Sequence, residues 1–239
     1  MSTCSPSNDR DRPAHNEPAA MRPLPAVWSN LGESTAVNRN QEMLQGLVNP
    51  LAGTAHNTVV MDRDRILRSL QALDVALTSH PLLAANPGLK ANLRIIGGTA
   101  MVLRHGSRLG TTDIDAVIWP ERGVLDAADS IASREGLGLG WLNDAAKRFL
   151  PDRAEFVAYD SPVPLDRLAI SLADDETLLA MKCHALRGDK DSDDIVVLAR
   201  SLGMKTAEQL RDHTHRMYGR PLIDVDSMAV LEGVVHDRL

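Results

Sequence analysis

Two carboxylates one pleat apart, Asp113 and Asp115, follow a glycine pair, Gly97-Gly98, and this order constrains the chain more than any other feature. In residues 95–120, IIGGTAMVLRHGSRLGTTDIDAVIWP, a buried strand over 93–96 runs into the two glycines. Glycine carries no Cβ and tolerates positive φ, so a phosphate can approach the backbone there. The segment TAMVLRH reads as a short helix that starts at Thr99 and closes at Gly106. Its first turn offers free N–H groups and the positive end of the helix dipole. Residues 113–119 alternate and read as a second strand. Positions i and i+2 of a strand share a face, so Asp113 and Asp115 converge while Ile114 turns into the core.

Such a pair beside a phosphate cradle suits Mg²⁺ on a triphosphate. Hard cations take oxygen ligands, and Mg²⁺ commonly uses one or two carboxylates together with substrate phosphates. A purely structural reading is poor, because Asp is depleted in strands and two adjacent carboxylates repel.

The same reading organises the rest of the chain. Residues 1–27 are rich in Pro, Ser, Asn and charge without periodicity, which predicts disorder, and 28–60 are at best weakly ordered. From Asp62, apolar residues at Ile66, Leu67, Leu70, Leu73 and Leu77 predict an amphipathic helix ended by Pro81. Helices are expected over 124–134 and 141–150, and β-like runs over 154–159 and 168–172. Beyond residue 173 the pattern is helical: 175–186, then 192–202 with Gly203 as C′, then a capping box at Thr206 and Gln209, then a helix capped by Asp224 or Asp226. The expected fold is α+β: a small mixed sheet with flanking helices over 61–173 and a helical region over 174–239 that completes the site.

The arrangement resembles the signature of the nucleotidyltransferase superfamily of DNA polymerase beta type, in which a hydrophobic residue and a glycine pair precede a D-x-D. Three segments, RIIGGTAMVLRHGSRLGTTDIDAVIW, WLNDAAKRFLP and DDETLLAMKCHALRGDKDSDDIVVLAR, together resemble the minimal nucleotidyltransferases related to abortive-infection and toxin–antitoxin proteins. In that group a helix of the form L-L-A-x-K precedes a D-x-x-D segment, here Leu178 to Lys182 and Asp191 to Asp194. The likeness spans residues 62–202.

By that resemblance, Gly97, Gly98 and Thr99 would cradle the nucleotide phosphates, and Asp113 and Asp115 would hold Mg²⁺. Lys182 would contact the triphosphate. Asp191 or Asp194 would position Lys182 or help to deprotonate the acceptor. The implied partners are an NTP, an RNA acceptor such as a tRNA 3′ end, and a cognate antitoxin protein. Such enzymes usually add a third carboxylate, for which Glu155, Asp160 and Asp166 are the candidates.

Local sequence supports blander roles for several of these residues. Arg104 and Arg108, between the two motifs, are positioned either to reach phosphates or to sit in solvent. Lys182, in the apolar run LLAMKCHAL, can snorkel from a helix edge. Asp191 suits an N-cap and Asp194 the N3 position. His184 faces away from Lys182. Trp141, Leu142 and Phe149 are expected in the core, Asn143 and Asp144 at a helix start, and Lys147, Arg148, Arg153 and Arg167 on a basic rim or a solvated face.

Composition narrows the function class further. A net charge of −6 argues against a general DNA-coating protein. Cys4 and Cys183 form no metal-binding spacing and no disulfide framework. No secretory signal and no apolar run of membrane-spanning length is expected, so a cytoplasmic location with no membrane partner is the simplest reading. The alternative function is a non-catalytic nucleotidyltransferase-fold protein acting as a binding or antitoxin partner.

Overall fold

The computed structural model describes residues 59–239. The expectation of a disordered or weakly ordered segment over 1–60 lies, but for its last two residues, outside the described residues. Among those described, eight helices accompany a five-stranded mixed sheet, an α+β fold.

Helix α1 (Arg63–Leu77) starts where Asp62 accepts the Arg65 N–H at 2.8 Å, and it buries Ile66, Leu70, Leu73 and Leu77. It stops at Leu77, four residues before Pro81, which does not end it. Pro81 instead opens a short helix α2 (Pro81–Ala85), where the fixed proline φ and missing N–H suit the first helical position. Strand β1 (Ala91–Ile95) leads into α3 (Gly97–His105), which begins two residues earlier than Thr99 and closes at Gly106 with φ +59°. Strand β2 (Ile114–Trp119) and helix α4 (Glu121–Ala132) follow.

Residues 141–150 are not one helix. Leu142–Asn143 form a short strand β3, and only Ala145–Phe149 turn, as a 3-10 segment. Parallel pairing of Leu142 with Ile114 takes this backbone into the sheet, and the Asn143 side chain then accepts the Ala145 N–H at 3.0 Å. Strands β4 (Phe156–Ala158) and β5 (Leu168–Ala173) complete the sheet, in the order β3-β2-β1-β5-β4. The β1/β2 and β4/β5 pairs are antiparallel, and β1/β5 and β2/β3 are parallel.

One face of the sheet carries Leu93, Ile95, Ile114, Ala116, Ile118, Leu168 and Leu172 into the core, where α1 and α4 pack. Alternation along β2 sends Asp115, Val117 and Trp119 to the opposite face. After β5 the chain is helical: α5 (Asp175–Ala185), α6 (Asp189–Ser201), α7 (Ala207–Tyr218) and α8 (Val225–Arg238). The Thr206/Gln209 capping box forms, and Asp224 caps α8. Helix α5 packs against both α6 and α7. No helix among the described residues is long and apolar enough to cross a membrane.

Candidate active site

The glycine turn and the acid pair come together because β1 and β2 are hydrogen-bonded neighbours. The Ile96 N–H donates to the Asp115 carbonyl at 2.9 Å, which fixes the start of α3 against the second aspartate of the D-x-D. Gly97 has φ +65°, a left-handed conformation that favours glycine. A Cβ placed there would lie 3.3 Å from the Asp115 Oδ2. A Cβ on Gly98 would lie 2.9 Å from the Thr111 Oγ1 and 3.2 Å from an Arg108 Nη. The turn thus stays bare at the point where it meets the acid pair on one side and a guanidinium on the other. The Thr99 hydroxyl is buried and donates to the Asp113 carbonyl at 2.8 Å, so this side chain ties α3 to the D-x-D.

Electrostatics at the pair are unfavourable for two negative charges. Burial, and next the Asp113 carboxylate, push the Asp115 carboxyl up to about 6 from its ordinary 3.8, against the opposing pull of Arg187, Lys182 and the Ala146 backbone N–H. The Asn143 amide donates to the Asp113 Oδ2 at 3.2 Å. Two interacting carboxylates, Asp113 just before β2 and Asp115 within it, beside a bare glycine turn, suit a hard divalent cation: they would supply its carboxylate ligands, and its charge would relieve the repulsion. Among the described residues no group of three or more His, Cys, Asp or Glu is disposed to hold a metal.

The third-carboxylate candidates do not join the pair. Asp166 sits before β5, at the end of the sheet away from the glycine turn, because β1 and β5 run parallel. Its N–H, with those of Arg167 and Leu168, is held by the buried Asp74 carboxylate at 2.7–3.0 Å. Glu155 and Asp160 flank β4, three strands from β2, which at the usual spacing is roughly 14 Å. The β3 residue in register with Asp115 is Asn143, a neutral amide.

A second cluster forms where α5 and α6 meet. Lys182 is buried, and its ammonium lies 2.8 Å from both the Asp191 Oδ1 and the Asp194 Oδ2. Asp194 is held again by Arg108, whose Nε and an Nη donate at 2.7 and 2.5 Å. Asp191 is not an N-cap, since α6 starts two residues earlier behind Gly188. Its carboxylate reaches back to the Arg187 N–H at 2.8 Å and Nε at 3.1 Å. Burial pushes Asp191 up, but the Lys182 ammonium and Arg187 outweigh it and hold the carboxyl below the usual range. Lys182, Asp191, Asp194 and Arg108 therefore form one ion-pair network that touches the glycine turn through Arg108.

Arg104 is not part of it. At the last turn of α3 it pairs with Asp175 at 3.0 Å, together with His105 and the Ser201 hydroxyl. Of the expected basic rim, Lys147 pairs with Glu121 and Asp144, and Arg167 donates to the Leu83 and Pro87 carbonyls. Trp141 is a core residue whose Nε1 donates to the Ala128 carbonyl at 3.0 Å, whereas Phe149 is half exposed beneath Arg148.

Two residues at the site are not apparent from sequence. Asn143 reads locally as a helix start, and only β3 pairing brings it to Asp113. Arg187 carried one signal, its i,i+4 spacing from Asp191. No family model, curated protein or solved structure matches this chain.

Proposed function

We propose that this chain is a divalent-cation-dependent nucleotidyltransferase that moves a nucleoside monophosphate from an NTP to an acceptor hydroxyl. The carrying observation is the close approach of the bare, left-handed Gly97 to the Asp115 carboxylate, which sets a helix N-terminus, a group that suits phosphate oxygens, directly beside two carboxylates. Mg²⁺, held by Asp113 and Asp115 when bound, would neutralise the phosphates and the departing pyrophosphate. The backbone N–H groups at the start of α3 take phosphate oxygens. Asn143 holds the Asp113 carboxylate in place, and the Lys182–Asp194–Arg108 network fixes the floor beneath the turn. In the transfer an acceptor oxygen bonds to the α-phosphorus and the bond from that phosphorus to the bridging oxygen breaks. Pyrophosphate leaves with the bonding pair, and the acceptor's proton is released to water.

RNA is the acceptor class we favour. Two aromatic side chains stand half exposed, Phe149 beneath the Arg148 guanidinium at 5.0 Å and Trp119, while the partly buried Phe156 lies beneath Arg94 at 5.4 Å. Unpaired bases stack on such groups. A toxin role, with growth inhibition restrained by a partner protein, is the biological setting this reading carries.

The test is pyrophosphate release by the purified chain with Mg²⁺, total RNA and each NTP in turn. Wild type is expected to release pyrophosphate, and Asp113→Asn to lose at least about two orders of magnitude, as removal of an electrostatic stabiliser does. Equal rates in the two proteins would refute the assignment. One observation favours a second reading, nucleotide binding without turnover: the strand position beside the acid pair holds the amide of Asn143 in place of a third carboxylate. NTP binding with no pyrophosphate release is its signature.

A further inference from the structure

The cation that the NTP would meet is not the one that the sequence motif suggests. Lys182 is 3% exposed and its ammonium is already bracketed by Asp191 and Asp194. Arg108 grips Asp194 with two nitrogens. Both cations are committed to carboxylates beneath the turn.

Arg187 differs. It occupies the link between α5 and α6, and its side chain is 74% exposed. The residue before it, Leu186, has φ +40° and ψ +49°, the one non-glycine residue with positive φ among those described, and Gly188 behind it has φ +71°. Leu186 is packed against the core in this left-handed conformation, which non-glycine residues avoid unless their surroundings impose it. Its effect is to turn the chain sharply, so that the Arg187 N–H and Nε both reach the Asp191 Oδ2. The guanidinium is thus tethered at one nitrogen while the rest of it remains in solvent.

A continuous set of contacts connects this group to the glycine turn. Arg187 binds Asp191, Asp191 binds Lys182, Lys182 binds Asp194, Asp194 binds Arg108, and Arg108 lies against Gly98.

We infer that Arg187 is the residue that binds the β- and γ-phosphates of the nucleotide, and that Lys182 is a positioning residue acting through Asp191. This inference rests on the nucleotidyltransferase reading. The chemistry follows from the group: a planar guanidinium presents paired N–H donors that match two phosphate oxygens, and a tether at Nε aims the fork without occupying it. The carboxylate of Asp191 then has two functions, ion-pairing Lys182 with one oxygen and orienting Arg187 with the other.

Calorimetry on the full chain with Mg²⁺ tests this, using each NTP in turn and inorganic tripolyphosphate as a ligand that has phosphates but no base. Arg187→Gln is expected to weaken both NTP and tripolyphosphate binding about tenfold or more, the loss of one charge-assisted contact. Arg187→Lys should recover part of that loss. Mn²⁺ binding in the absence of nucleotide, followed by electron paramagnetic resonance, should persist in Arg187→Gln and vanish in Asp113→Asn. Wild-type affinity for NTP in Arg187→Gln would overturn the inference alone. Loss of Mn²⁺ binding and of thermal stability together with NTP binding would make Arg187 structural and overturn it as well. Absence of NTP binding by the wild type would remove the nucleotidyltransferase reading, and this inference with it.

Discussion

At the scale of single residues, Asp115 carries the largest internal conflict at the site. A strand places its carboxyl partly out of water and one pleat from Asp113, and both effects favour the protonated form. A carboxyl whose pKa is raised on folding contributes stability only while protonated: the contribution is full below the ordinary 3.8 and is lost as pH rises through about 6. Without metal, the ionised group therefore opposes folding at neutral pH. Asp115→Asn should stabilise the chelated protein at about pH 7.5 by on the order of 1 kcal/mol, once solvent screening is allowed for. That gain should vanish at about pH 4. Urea denaturation in chelator at the two pH values checks it, and a gain of the same size at both would contradict the electrostatic cause. The residue pattern was the most legible part of the sequence. Alternation along 113–119 gives the shared face of Asp113 and Asp115, because strand periodicity is local. The raised pKa was not legible, since its largest cause is burial, which strand pairing and tertiary packing impose.

At the scale of elements, the α5–α6 pair decides how much charge the fold can hold. Lys182, Asp191 and Asp194 are all buried, so each relies on the others for its partner. Removing one member of a buried ion pair leaves the remaining charge desolvated and uncompensated, which typically costs about 3–5 kcal/mol. Lys182→Ala is expected to destabilise by that amount, read from the denaturation midpoint. A change below about 1 kcal/mol would mean that water reaches the two aspartates. Helix positions were largely legible here, because Thr206–Gln209 and Asp224 carry their own capping chemistry. The roles of Asp191 and Lys182 were not. An Asp at a helix start fits an N-cap as well as a buried partner, and a Lys in an apolar run fits a snorkelling edge residue. Only the packing of α6 on α5 separates these readings. In the same way, 141–150 carries a helix-like pattern, and parallel pairing with β2 overrides it at Leu142 and Asn143.

At the scale of the whole molecule, the site lies where the carboxyl end of β1, the amino end of β2, the start of α3 and the α5–α6 turn converge. The α+β class and the succession of strands and then helices followed from hydrophobic periodicity. The strand order did not, because the neighbours β1 and β5 are separated by most of the sheet-forming sequence. This topology is what removes Glu155, Asp160 and Asp166 from the acid pair and puts Asn143 beside it. It also brings a helix from the chain's last third against a glycine turn in its middle, so the nucleotide reading depends on both regions at once.

The most direct test of that reading follows the transferred group itself. Purified protein is incubated with Mg²⁺, total cellular RNA and each of the four α-labelled NTPs, beside Asp113→Asn. Label is expected to enter RNA with the wild type and one preferred NTP, and not with the variant. Label that enters at equal rates in both, or a wild type that neither transfers nor binds any NTP, would contradict it.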